Sequence, residues 1–354
     1  MIKLNLFIRS LLLGGLLIIG FLMPVYSQSE CVFSLQRAER LYQQGNLEEI
    51  PGLLNNCIEK GFTRDERLTA YKLLIQSYLY NDQLELADQT MLEFLGHYPE
   101  YELTPADQAE FEQLFHSYET KATWSVSISG GGVFSFPYTF EPFGPFPAET
   151  SSWDYSSGPG FRVGAGFLKY LAPGFNLNFE VQYFRYEYDF ALTQEYWSDF
   201  SETRYKETSS NIAIPISATY DFNTGNLNPY IRAGIMASYM FKSALDPVRI
   251  YKNGEFEDVS GSDISMIEYR NTFNLYAITG AGLKYKIPYA GQIVLDIRFD
   301  IGLTRFVNDE ERFTSQESIF RYYNQDHDAR LNFLSVSLGW IYPLYKSTKQ
   351  PSSY

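Results

Sequence analysis

Beyond residue 23 the chain has no run of apolar residues approaching the roughly 20 that a membrane-spanning helix needs, which excludes a helical membrane protein. Histidine and cysteine are scarce, three and two residues in 354, and they do not cluster, so they cannot assemble a metal centre. The patterns G-x-S-x-G, G-x-x-x-x-G-K-[ST] and H-E-x-x-H are all missing. Positive charge is short as well: a formal net charge of −14 with only scattered basic residues argues against a nucleic-acid partner. No catalytic, cofactor-binding or metal-ligating residue is assigned, and a non-enzyme is expected.

What the chain has in excess is aromatic: 29 Tyr and 28 Phe, with aromatics 17% of the whole, more than a soluble core needs and suited to an interface. The opening "MIKLNLFIRSLLLGGLLIIGFLMPVYSQSE" places Lys3 and Arg9 ahead of an apolar run from Ser10 to Met23, then Pro24 and the small-residue site Val25-Tyr26-Ser27. This predicts a secretory signal peptide over 1–27, cut before Gln28. A retained anchor is the alternative, for which the run is short. Cys31 lacks the small-residue box that lipid attachment requires.

The chain changes character near Lys121. Residues 28–121 carry 17 acidic and 7 basic side chains, with apolar positions at helical spacing. Tyr71, Leu74, Tyr78, Ala87, Met91, Phe94 and Pro99 fall where a tetratricopeptide repeat places its large, small and terminal proline residues. A degraded copy precedes it, with Ala38, Leu41, Gly45, Ile50, Leu54 and Cys57 in matching places. "TPADQAEFEQLFHSY" predicts a closing helix with Thr104 as N-cap, Pro105 in the first turn and Phe111, Leu114, Phe115 and Tyr118 on one stripe. Cys31 near the start of the first helix and Cys57 late in the returning second helix predict a disulfide; two buried free thiols are the alternative. The repeat resemblance implies a partner groove in which Leu35, Glu39, Tyr42 and Gln43 stand beside Lys72, Gln76, Leu79 and Tyr80. A folded cap under the following domain is the other reading of these helices.

From residue 122 the alternation has period two. In "GQIVLDIRFDIGLTRFVNDE" Ile293, Leu295, Ile297, Phe299, Ile301 and Leu303 take one face, Asp296, Arg298 and Asp300 the other. Eight such segments are expected, at about Trp124–Phe136, Phe161–Leu171, Phe175–Phe190, Tyr205–Phe222, Tyr230–Lys242, Thr272–Ile287, Gln292–Val307 and Leu331–Leu344. Short turns ("APG", "NTGNLNP", "PYAG") alternate with long connections near 137–160, 193–204, 243–271 and 308–330. Tight turns at one end and long loops at the other are the pattern of an outer-membrane β-barrel. The segment after Phe175 changes phase around Tyr183, which a bulge or exit from the bilayer explains.

The expected fold is therefore α+β and multidomain: signal peptide 1–27, a tetratricopeptide-like helical domain 28–121, an eight-stranded antiparallel transmembrane β-barrel 122–345 and a tail 346–354. So narrow a barrel is filled by side chains, and Glu180, Arg232, Lys284, Asp296, Arg298 and Asp300 are expected to close its lumen as a charge network. An ion pathway is the alternative. "NQDHDAR" sets His327 between Asp326 and Asp328 at the outer rim, where solvated loop charge is the expected role. "VRIYKNGEFEDV" predicts a hairpin in the third loop, turning at Asn253-Gly254.

"NIAIPISATYDF", "NPYIRAGIMASYMF", "FNLYAITGAGLKYKI" and "VLDIRFDIGLTRFVND" resemble successive strands of the Bacteroidota outer-membrane β-barrel family that includes PorT-like proteins. The resemblance covers about 211–345 and implies a scaffold in the cell outer membrane, in contact with its lipid. The last strand, "SLGWIYPL", resembles the signal read by barrel-assembly machinery. Taken with the helices, this predicts a barrel that presents a periplasmic domain to a periplasmic or outer-membrane protein in secretion, assembly or envelope organisation. A surface binding protein or adhesin acting through the loops is the alternative, followed by an outer-membrane lipid-modifying enzyme or protease.

Overall fold

The computed structural model describes residues 26–59, 61–143, 151–196, 199–222, 224–252, 257–315, 317–322 and 325–350. Its contacts divide the chain into two compact units, Met1–Lys121 with Tyr345–Tyr354, and Ala122–Leu344.

The described part of the first unit holds five helices: α1 (Tyr26–Gln44), α2 (Ile50–Ile58), α3 (Arg64–Tyr80), α4 (Leu84–His97) and α5 (Ala109–His116). Two apolar clusters hold them. Ala38, Ile50, Leu54 and Leu74 join α1, α2 and α3, while Tyr71, Met91, Phe94 and Phe111 join α3, α4 and α5. The start of α3 is fixed by a capping box, in which the Thr63 hydroxyl accepts from the Glu66 amide and the Glu66 carboxylate accepts from the Thr63 amide. The closing helix starts later than its pattern suggested, at Ala109. Asp107 is the reason: its carboxylate accepts from the Thr104 amide at 2.7 Å, folding residues 104–107 into a turn instead of a first helical turn. Residues 346–349, expected as part of a tail, continue the last strand and belong to this unit. Lys349 pairs with Asp88, and the Gln350 amide donates to the Ser117 carbonyl at 2.8 Å.

Cys31 and Cys57 form a disulfide with Cα atoms 5.6 Å apart, tying α1 to α2. Gly61 packs against it so closely that a Cβ there would stand 2.2 Å from the Cys31 sulfur. Closing this loop removes chain entropy worth about 3.5 kcal/mol from the unfolded unit. Reduction, or the pair Cys31→Ser and Cys57→Ser, should lower the melting of the helical signal in circular dichroism by up to that amount, while the heat-modifiable gel mobility of the barrel stays unchanged.

In the second unit eight strands close on themselves: β1 (Tyr118–Glu141), β3 (Pro159–Ala172), β4 (Phe175–Tyr196), β5 (Asp199–Asp221), β6 (Leu227–Tyr251), β9 (Phe273–Ile287), β10 (Gly291–Gly302) and β11 (Asp328–Lys349), each hydrogen-bonded to two neighbours. Three short strands extend one end: β2 (Ser151–Ser157) on β4, and β7 (Val259–Ser260) and β8 (Ile264–Ser265) on β6. Closure leaves no unpaired edge, the condition for a sheet to cross lipid. The tight turns use positive-φ Gly174, Gly225 and Gly291. In β10 the parity that begins at Ile293 is exposed and the parity of Asp296, Arg298 and Asp300 is buried. Among the described residues no helix is long and apolar enough to cross a membrane; the exposed apolar belt belongs to the strands.

The strands outrun that belt. The connection expected at 193–204 is mostly strand, since β4 and β5 stay paired as far as Tyr196 opposite Asp199. The phase change at Tyr183 is not a bulge, because β4 keeps one register with β5 on both sides of it. Inward positions Asn176, Asn178, Glu180 and Gln182 give way to inward Phe184, Tyr186, Tyr188 and Phe190, all buried. Outward Val181 gives way to Arg185, Glu187 and Asp189. The strand leaves lipid for water here, and its faces exchange polarity. The Asn253-Gly254 turn lies outside the described residues, as do residues 1–25 of the expected leader.

Candidate functional site

Three places were candidates for function: the lumen, the rim around His327, and the helical groove. In the lumen, Arg232 binds Glu180 through Nη1 at 2.8 Å and approaches Asp296 through Nη2 at 3.4 Å. Arg298 pairs with Asp300 at 2.8 Å. Gln182 and Arg162 join the two groups: the Gln182 Oε1 accepts from Arg162 at 2.8 Å and from Arg298 at 3.3 Å, and Arg162 lies 3.9 Å from Glu180. Lys284 stands apart from this centre and pairs with Asp221 at 2.7 Å. The structure thus brings five of the six predicted residues into one network and separates Lys284. Arg162, Gln182 and Tyr230, whose hydroxyl donates to Asp296, are further members of the network, and Asp221 is the separate partner of Lys284; the sequence pattern singled out none of these four. All lie on inward parity, which was the available signal. A cavity of about 40 Å³, lined in part by Glu180, Arg232 and Asp296, remains, room for a water or two and not for a channel.

Above the network lies an apolar core of Phe184, Tyr186, Tyr188, Phe190, Met240, Phe306 and Phe333. One buried cation is set in it. Arg270 binds Glu207 and Asp326, each at 2.6 Å, and lies over the Phe306 ring at 4.8 Å. Burial alone would push its guanidinium down; the Asp326 and Glu207 carboxylates outweigh that and hold it well above its ordinary range. His327 is not solvated loop charge. It is 6% exposed, its Nδ1 accepts from the Phe143 amide at 3.1 Å, and its ring packs on Trp153 with centroids 4.8 Å apart. Asp326 is committed to Arg270, and Asp328 pairs with Arg312. The three residues of the motif therefore point to different partners and make no catalytic constellation. Among the described residues no group of His, Cys, Asp and Glu could hold a metal.

The predicted helical groove is filled by the chain itself. Lys72 pairs with Asp107 at 2.6 Å, and the Tyr42 hydroxyl donates to Gln108. Burial would push the Asp107 carboxyl up; Lys72, Tyr101 and Thr104 outweigh it and hold it below the usual carboxylate range. Leu35 and Gln76 are buried and Leu79 is half-buried, leaving Glu39, Gln43 and Tyr80 exposed. A different depression of about 500 Å³ lies on the same unit, lined by Leu79, Tyr80, Leu84, Asp88, Glu110 and Leu114 among others.

A family model described as outer membrane protein beta-barrel domain matches residues 111–308. The chain belongs to this family. As an outer-membrane β-barrel it is placed in the outer membrane, and the match begins inside α5 and stops before β11. No curated protein sequence matches the chain. Among solved structures it is similar to Neisserial surface protein A, at 13% identity and a TM-score of 0.31 over 63% of this chain and 98% of that one. It is also similar to OprG from Pseudomonas aeruginosa, at 7% identity and 0.37 over 63% and 98%. A third is the outer membrane enzyme PagL, at 14% identity and 0.25 over 62% and 99%.

Two outcomes follow from this geometry. Arg232→Ala leaves Glu180 and Asp296 buried without their common cation, a loss of about 3–5 kcal/mol, so the variant barrel should lose its heat-modifiable mobility at lower temperature, and the wild-type protein should show no large steady conductance in planar bilayers. Burial lowers the His327 imidazole below its ordinary 6.5, against the opposing pull of Asp326. The neutral ring is what the outer core accepts, so its contribution is complete above pH 6.5 and is lost as pH falls below it. Trp153 fluorescence should report loosening on acidification, and His327→Asn should remove that step.

Proposed function

We propose that this outer-membrane barrel is a non-enzymatic anchor whose helical unit, on the periplasmic side, docks a periplasmic or outer-membrane protein in secretion, assembly or envelope organisation. The observation that carries the reading is that the unit has its own two cores and disulfide and still leaves apolar surface uncovered. Tyr80 is 51% and Leu84 58% exposed at the mouth of the depression between α3, α4 and α5. Glu110 flanks it, while Asp88 is paired with Lys349, which also lines it. An apolar hollow on a unit with 17 acidic and 7 basic residues suits a basic segment that inserts one or two apolar side chains. The PorT-like resemblance of 211–345 and the tetratricopeptide-like spacing of 38–99 agree with this reading, and the last strand fits delivery by barrel-assembly machinery. The even number of crossings puts both ends of the barrel on the side of the short turns, and because short turns are periplasmic in barrels of this type this reading takes the long connections as extracellular. There Phe313 and Phe320, 58% and 72% exposed, favour a second reading as a surface binding protein.

Tyr80→Ser with Leu84→Ser should leave insertion and the disulfide intact and remove a protein that co-purifies from detergent-solubilised outer membranes. Recovery of the same proteins at undiminished yield, both from this variant and from a chain lacking 28–121, would end the docking reading and turn attention to Phe313 and Phe320.

A further inference from the structure

The outward face of the barrel carries a second feature, at the rim where the apolar belt stops. On β10 and the residues that follow it, the lipid-facing parity runs Ile297, Phe299, Ile301, Leu303, all exposed, and the next residue of that parity is Arg305. On β11 the same parity runs outward from Leu338 and Val336 to Arg330. On β1 it ends at Tyr138 and Phe140. Phe140 ties the three together: the guanidinium of Arg305 lies 5.6 Å from the centre of its ring and that of Arg330 lies 5.4 Å from it. Two cations are thereby held within about 11 Å of each other over one aromatic ring.

Their partners leave charge to spare. Arg330 is exposed and has no carboxylate partner among the described residues. Arg305 is shared between Asp309 at 3.3 Å and Asp328 at 3.4 Å, but Asp328 is buried and already paired with Arg312. A planar guanidinium binds phosphate oxygens bidentately, and these two flank the same ring. At this height the face passes from acyl chains to headgroups. We infer that Arg305 and Arg330 bind the phosphate of an outer-leaflet glycolipid headgroup, whose acyl chains lie along Leu303 and Ile301. Phe140 pre-positions both cations. The inference rests on the orientation given under the proposed function, and it is independent of the helical docking surface.

The test uses the full-length protein purified in detergent, with bound lipid counted by native mass spectrometry. The probes are a diphosphorylated lipid A, the same lipid without phosphates, phosphatidylglycerol and inorganic phosphate. The wild-type protein should retain diphosphorylated lipid A in preference to the other three, and Arg305→Gln with Arg330→Gln should weaken that retention by about tenfold or more. Lys242→Gln, an exposed cation on β6, should leave it unchanged, as should Tyr80→Ser with Leu84→Ser. Unchanged heat-modifiable mobility certifies the variants, and Arg330→Gln alone, which breaks no ion pair among the described residues, should give an intermediate loss. Equal retention by the double variant, or of the dephosphorylated lipid, overturns the site. Displacement by inorganic phosphate at equal concentration assigns the arginines to a free anion and overturns the lipid reading. Equal retention of phosphatidylglycerol overturns the glycolipid assignment and leaves the orientation standing on its own grounds.

Discussion

Each strand of this barrel must serve two solvents in succession. In lipid the outward side chains must be apolar and the inward ones can be polar only if they satisfy one another; in water the requirement reverses. A continuous strand cannot rotate to meet the change, because its neighbours fix its register on both sides. The sequence has to switch instead, and β4 does so between Gln182 and Phe184 without disturbing its pairing. The polar plug, the aromatic core above it and the cationic rim all follow from where that switch is made.

The switch also explains why the closure has two different layers. Within the lipid level the interior cannot be left as bare charge, so Arg162, Arg232 and Arg298 balance Glu180, Asp296 and Asp300, with Gln182 bridging. Beyond it the wall faces water, and the same eight strands can gather Phe184, Tyr186, Phe306 and Phe333 as an ordinary water-soluble protein would. Arg270 is a buried charge within that layer. Its removal from water is offset by two carboxylates and by the Phe306 ring, and the loop ends that carry Arg270 and Asp326 are tied together across the core.

The legible part of this protein was the part where one rule holds over a whole strand. In β10 the apolar parity never changes, so strand, face and lumen residues could all be read. From Phe184 onward the rule "apolar is outward" has the wrong sign, and the stretch 193–204, expected as a connection although the period of two persists, is mostly strand. The inward parity nevertheless continues through Tyr188, Phe190 and Leu192, all buried, so the period was informative where the sign was not. His327 failed for a related reason: a residue between two aspartates reads as solvated, and only the folded chain shows that Arg270 and Arg312 take the aspartates away.

The helical unit shows the opposite failure, in which local rules held and a distant contact decided the outcome. Helical spacing found the helices, and the predicted bond between Cys31 and Cys57 formed. The groove assumed that the faces of α1 and α3 would stay open, as in a longer stack where each repeat contacts only its neighbours. In so short an array the following segment has no further repeat to pack on. Asp107 and Gln108 therefore turn back onto Lys72 and Tyr42, and the turn at 104–107 that delays α5 is the local cost of reaching them. Covering that face leaves the uncovered apolar surface at the end of α3 and the start of α4, beside Tyr80 and Leu84. A binding surface on such a unit is set by which face the chain leaves over once its own ends have been stabilised, not by the repeat pattern.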